Sequence, residues 1–537
     1  MKISGKLFLS LILVASAAYA QGVGASGDIA GTVTDPSGSA IPKTKVTATD
    51  SAKGLSRATF TDEHGEYRLN GLQPSTYNVS ADVQGFQPAD QKNVILNVGQ
   101  VPIVDFHLAI SNVSQRVEVT AELPVVETER SHLADTVTEN YIKDLPIDRR
   151  DYLTFTLLMP GVSNSTRLAG DQDFRARQTP QSGLSFYGSN GRGNTVTVDG
   201  GEANDDSGGV RLTLSQDAVQ EYQINRSNYS AELGGASGAA INIITKSGSN
   251  QMHGSLFGFF RNDALDARDP FAFSQALAPN QPFVPAAADS QGQPVKNSLN
   301  RQQFGGSIGM ALQPDKTFLF AAFEGLRQDA ENAVPLLTNT NIFRPDNGAT
   351  TPNNQQAIIS GLTARGGNAV PCLTGQPALP AAVCAGILQN VLTINPTTSP
   401  LNAFIVGNLE NNGGLFPYTT REYQASARVD HKFNDNNQAY LRYSFAHDLE
   451  ENPDVQSLTG FSRGSSIHAY DNTLQGSWFH LFNATLQNEA RLQWNYYNFN
   501  VIPNEPGQVG LDIPGYANLG TNIFLPNFTI LRQLSCQ

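Results

Sequence analysis

The sequence predicts a mainly β chain in three parts: a small N-terminal β-sandwich, an α/β middle domain, and the first strands of an antiparallel membrane-barrel wall. Three observations carry this. Glycine is abundant (48 residues) and aromatics reach 9%, while only 15% of residues are charged, a balance that suits strands and turns better than a helical enzyme. Apolar and polar residues alternate with period two over several stretches in the second half. The connections between those stretches alternate between short and long.

At 537 residues the chain is long enough for several domains. The formal net charge of −13 argues against a nucleic-acid partner. Lys2 and Lys6, the apolar run Leu7–Ala15 and the small-residue site Ala18-Tyr19-Ala20 have the order of a secretory signal peptide over residues 1–20. The apolar run falls far short of the ~20 residues a spanning helix needs. Export makes a disulfide between Cys372 and Cys384 an expectation, and leaves Cys536 unpaired.

Residues 27–110 contain short strand-like runs, Ile29–Val33, Lys45–Asp50, Arg57–Thr61, Gly65–Leu69, Tyr77–Val83 and Val101–Leu108, divided by turns such as Asp35-Pro36-Ser37-Gly38. Gly31-Thr32-Val33-Thr34-Asp35, Ile41-Pro42, Gly65-Glu66-Tyr67 and Gly71-Leu72 together resemble the carboxypeptidase-regulatory-like, prealbumin-type domain. That name implies a fold and no peptidase activity.

Residues 111–133 are a polar linker. Within it Val117, Glu118, Val119, Thr120 and Ala121 resemble a TonB box, an extended segment that adds a strand to a partner's sheet. The other reading is a last sandwich strand or a spacer.

Residues 134–247 come next. Ala218–Gly248 reads as two strands, Val219–Asn225 and Ala239–Lys246, around a glycine-rich bend, and the second strand is apolar enough to be buried on both faces. Asp199-Gly200 reads as a tight hairpin turn. Leu145-Pro146 with Arg149 and Arg150, then Pro160-Gly161-Val162, then Asp199-Gly200, then Asn242, Thr245 and Lys246, resemble the plug domain of TonB-dependent outer-membrane receptors of the Oar-like branch. The resemblance implies that Arg149, Arg150, Asp199 and Lys246 are structural or latching residues rather than ligand contacts. Gly188–Gly193 is followed by no Lys-Ser/Thr, so a phosphate-binding loop is rejected.

Residues 253–537 carry the alternation. Tyr423, Ala425, Ala427 and Val429 alternate with Gln424, Ser426, Arg428 and Asp430; Ala439–Phe445 and Leu486–Tyr496 repeat the pattern. Short turns near 313–316, 434–437 and 482–484 alternate with longer loops, the habit of an outer-membrane barrel. About seven strands are expected, too few for a barrel that holds a plug, which needs ~22. A piece of a longer protein is therefore the expectation.

No H-E-x-x-H, G-x-S-x-G or C-x-x-C motif is present, and His447 with Glu450 is half a metal site at most. Neither an enzyme, a metal nor a cofactor is expected. The resemblance implies an outer-membrane location, the inner-membrane TonB complex and outer-membrane lipid as partners, and uptake of an extracellular substrate (glycan, peptide or siderophore) gated by the plug. A surface adhesion protein and a secreted ligand-binding sandwich are the alternatives from other classes.

Overall fold

The computed structural model describes residues 25–110, 117–119, 133–145, 147, 150–164, 184–189, 193–205, 210–211, 214–229, 235–270, 272, 294–334, 355–370, 379–386, 414–453, 455, 461, 464–483, 486–504 and 528–536. The signal-like segment, Pro146, Arg149, Thr120, Ala121 and Cys372 lie outside this set.

The N-terminal domain is a two-layer sandwich. Strands β1 (Gly27–Thr34), β2 (Lys45–Asp50), β3 (Ser56–Phe60), β4 (Glu66–Leu72), β5 (Ser75–Asp82), β6 (Ala89–Leu96) and β7 (Phe106–His107) form it, joined by the edge strand β8 (Val117–Val119). One sheet has the order β4-β1-β7 and the other β3-β2-β5-β6-β8. Alternate residues point inward, so Ile29, Val33, Val46, Val79, Leu69 and Phe106 close a dry core.

Two expectations are corrected here. Residues 89–96 form a full strand that the alternation did not announce. Asn93 has φ 59° and the β5–β6 register shifts nearby, so a bulge breaks the period that would have marked it. Residues 101–108 contribute only the two-residue β7 and an isolated bridge, Ala30 to Ile103.

The central domain is a mixed five-stranded sheet, order β13-β12-β15-β14-β9. Its strands are β9 (Leu133–Val137), β12 (Thr195–Val198), β13 (Gly201–Glu202), β14 (Val219–Ser227) and β15 (Ala240–Thr245), with a small pair, β10 (Val162–Asn164) and β11 (Leu184–Phe186), and helix α1 (Glu139–Asp144). Every residue of β15 is buried, as its two-faced apolar sequence requires. Asp199 (φ 49°) and Gly200 (φ 79°) link β12 to β13 with two left-handed residues, the backbone of a type I′ hairpin.

The third part is one antiparallel sheet of eight strands in chain order: β16 (His253–Asn262), β17 (Leu299–Gln313), β18 (Thr317–Val334), β21 (Gly414–Asn434), β22 (Asn437–Glu451), β23 (Ser465–Asn483), β24 (Leu486–Pro503) and β25 (Phe528–Cys536). The long connection after β18 carries α2 (Gln355–Ala364) and a two-residue ladder of β19 (Ala369–Val370) and β20 (Leu379–Pro380). Among the described residues the count is eight rather than about seven, the added strand being β25, which pairs with β24.

The sheet has the two faces that the alternation requires. Phe323, Val429, Leu441, Leu474 and Leu492 point away from the central domain, and Phe433, Trp478 and Phe482 border them at the short-turn end. Gln424, Arg428, Asp430, Arg442, Gln475 and Gln493 point inward and are buried. The central domain packs on that inner face, where Phe320 and Ala322 of the wall join its core.

Candidate functional site at the domain–wall junctions

Three charged contacts fasten the central domain to the wall. At the first, the I′ turn presents Asp199 with its carboxylate fully buried. Its Oδ1 accepts the Thr245 backbone N–H (2.9 Å) and its Oδ2 the Thr245 hydroxyl (2.7 Å). Two wall arginines converge on it: Arg428 Nη1 lies 3.3 Å from Oδ1 and Arg442 Nε 3.1 Å from Oδ2. The Arg442 contact is one of charge alone, because that N–H is not aligned as a hydrogen bond.

Arg428 is itself held by a two-pronged pair with Asp430 (3.0 and 2.9 Å) and lies 4.2 Å from the Tyr440 ring centroid. Tyr440 and Gln475 donate to the Asp199 carbonyl oxygen at 3.3 and 3.0 Å. Wall donors thus meet both the Asp199 carboxylate, at Oδ1, and the Asp199 carbonyl.

The second contact is Arg150, in the left-handed conformation at φ 58°. Its Nη2 is 2.6 Å from Asp217 Oδ1 of the central domain and its Nε 3.4 Å from Glu324 of β18. The guanidinium also sits 3.9 Å from the Phe257 ring centroid of β16. The third is Arg211, whose Nη1 is 3.1 Å from Asp471 of β23 while its Nη2 donates to the Glu202 carbonyl at 2.8 Å. Gln493 of β24 donates to the same carbonyl at 2.8 Å.

Of the other residues singled out by sequence, Lys246 faces inward within the central domain, 3.1 Å from Glu139 of α1. Burial draws the ammonium below its ordinary value even with Glu139 beside it. Burial would raise the Glu139 carboxyl, yet Lys246 and Lys143 hold it below its ordinary value. Asn242 accepts from the Thr197 hydroxyl at 2.9 Å across the parallel β12–β15 pair. Gly161 takes φ 79° against the Tyr187 ring, where a Cβ would meet a ring carbon at 2.6 Å, and the Pro160 carbonyl accepts Arg226 Nη1 at 3.0 Å.

Val117–Val119 pairs in parallel with Ala89–Gln91 of the sandwich. Cys384 is a buried free thiol that packs as a small hydrophobe, while Cys372, its expected partner, lies outside the described residues. His447 lies on the outer face, stacked on Tyr470 (4.3 Å between centroids), whereas Glu450 is buried on the inner face. Residues three apart on a strand face opposite ways, so these two share no site.

Sequence reasoning missed Arg211, Arg428, Arg442, Glu324 and Asp471 as a set. A signal was present for two of them: arginines at inward positions, where Gln, Ser and Asn suffice to face water, demand buried acids opposite.

A second junction joins the sandwich to both other parts. Glu221 of β14 accepts the Val98 backbone N–H at 2.5 Å, Gln223 donates to the Val98 carbonyl at 3.0 Å, and Gln220 to the Pro74 carbonyl at 3.0 Å. Burial pushes the Glu221 carboxyl up to about 7. Toward the wall, the Asn250 N–H donates to the Ala52 carbonyl (3.0 Å), and Arg57 lies 4.5 Å from the Phe479 ring centroid.

Comparisons with known proteins match the first and the last of these parts. Residues 28–109 match the carboxypeptidase regulatory-like domain, and residues 244–536 match the outer membrane beta barrel domain. The chain is 27% identical over 333 residues to the TonB-dependent transporter Oar of Myxococcus xanthus, covering 60% of this chain and 28% of that protein. Among solved structures it is similar to the outer membrane transporter YddB of Escherichia coli (11% identity, 69% of this chain, 40% of that one, TM-score 0.39). The siderophore receptor PirA of Acinetobacter baumannii is a further neighbour (15% identity, 70% and 46%, TM-score 0.32). The chain spans less than half the length of each of these three relatives. The barrel match takes in more than half of this sequence, and the chain belongs to the outer membrane beta barrel domain family.

Proposed function

We infer that this chain is the sandwich, plug and leading wall of a TonB-dependent outer-membrane receptor. In this reading the signal-like segment is cleaved after Ala20, and the central domain is a plug that obstructs the lumen. The TonB complex, energised by the proton-motive force, engages Val117–Ala121 and loosens the plug so that a captured extracellular substrate can pass. The observation that carries the reading is the plug–wall junction. Its fastenings are ion pairs and hydrogen bonds on a polar wall, which water can replace one by one as the plug shifts. A purely structural anchor would gain more from an apolar seam.

The test is binding of the purified periplasmic domain of TonB to the detergent-solubilised chain. Val119→Pro removes a backbone donor and the extended pairing it supports, so binding should be lost. Unchanged binding by the folded variant would refute the assignment of that segment.

A further inference from the structure

The same segment has a second partner inside the molecule. Val117, Glu118 and Val119 pair in register with Ala89, Asp90 and Gln91, which places β8 at the outer edge of the larger sandwich sheet. The edge is approached just upstream as well, where the Gln87 N–H donates to the Ala109 carbonyl at 2.8 Å and Phe86 bridges Ile110. We propose that the sandwich stores the TonB-binding strand on its β6 edge, so that TonB must take the strand from the sandwich by edge exchange. This rests on the reading of Val117–Ala121 as the partner-binding segment.

Three features fit a store rather than a permanent strand. Among the described residues the pairing is three residues long, and it is parallel, the less stable arrangement per residue. The competing partner would offer the same main-chain chemistry, so exchange replaces one ladder by another. The store is also fixed in place, since the sandwich is tied to the central domain through Val98 and to the wall through Ala52 and Arg57.

The chain path then puts the fastenings in series. Beyond β8, residues 120–132 lead to β9, the edge strand of the central sheet, held by its ladder to β14 and by the Arg226–Asp135 pair at 2.5 Å. A pull on Val117–Val119 therefore empties the β6 edge before tension reaches β9. The sandwich acts as a threshold: it keeps the strand out of reach of incidental contacts and yields it to a partner that binds it better.

The experiment locks the strand. In the full 537-residue chain with its three native cysteines replaced (Cys372→Ser, Cys384→Ala, Cys536→Ser), Asp90→Cys and Glu118→Cys are oxidised, and binding of the TonB periplasmic domain is measured before and after reduction. The proposal expects ready cross-linking, affinity at least ~10-fold weaker when oxidised, and recovery with reductant, which also shows that the variant is folded. Failure to cross-link, or equal affinity in both states, would overturn it. Val119→Pro separates the two ideas. If Val119→Pro abolishes binding while the locked form binds normally, only the storage idea falls. If Val119→Pro binds normally, the partner-segment reading falls and storage with it.

Discussion

The sandwich core and the plug–wall junction are both buried, yet they are held by opposite chemistry. In the sandwich, Ile29, Val33, Leu69, Val79 and Phe106 meet with no charge among them. At the junction, among the described residues, Phe320 and Ala322 of the wall join the apolar cluster, while Arg150, Asp199, Arg211, Arg428 and Arg442 with their partners carry the charged contact. Apolar packing loses its free energy all at once when the surfaces part, because a gap admits no compensating contacts. Hydrogen-bonded charges can be transferred to water group by group. The first region is held by contacts that are lost together, the second by contacts that can be exchanged singly.

The sharpest way to break this contrast is Asp199→Ala. It strands the buried Arg442 guanidinium and leaves Arg428 its Asp430 pair alone, and removing one partner of a buried pair costs about 3–5 kcal/mol. Thermal melting of the detergent-solubilised chain should show that loss in the plug–wall unit, with the sandwich transition unmoved; an unchanged plug–wall melt would deny the junction its role. Leu69→Ala is the mirror experiment. A cavity in the dry core should cost about 2–5 kcal/mol and speed hydrogen exchange at Ile29 and Val79, while Tyr222 and Ile243 exchange as before.

Arg150→Lys keeps the charge but cannot reach Asp217, Glu324 and the Phe257 face together. A loss of about 1–3 kcal/mol in plug–wall stability is expected by the same melt. The smallest effect concerns Glu221. Its carboxyl is raised from the ordinary 4.5 to about 7 in the docked state, so docking favours the protonated form. The contact is complete below about 4.5, weakens as pH rises toward about 7 and then levels off. Glu221→Gln should flatten that dependence, measured as fluorescence distance between sandwich and plug across the range.

Much of this was legible in sequence because it is local. Period-two alternation over 423–432 told inward Arg428 from outward Val429, and Asp199-Gly200 announced its turn, since both follow from backbone sterics and strand geometry. What escaped depends on distant partners. Glu221 looks like any polar strand residue until Val98 is placed beside it, 123 residues away in sequence. Arg428 and Asp199 are 229 apart, and nothing near either names the other. The bulge at Asn93 hid a strand by shifting its phase, and Val117–Val119 read as a partner strand, with a sandwich strand as the alternative, because both uses ask for the same extended, β-branched backbone.

The length of β21 has an architectural consequence. Its 21 residues extend roughly 70 Å at ~3.3 Å each, whereas about ten tilted residues cross a bilayer. Counted from Phe433, one residue from the short-turn end, about ten residues reach Gln424, so Gly414–Glu422 is surplus to a bilayer crossing. At its long end the wall therefore rises past the span of a bilayer, as a raised parapet.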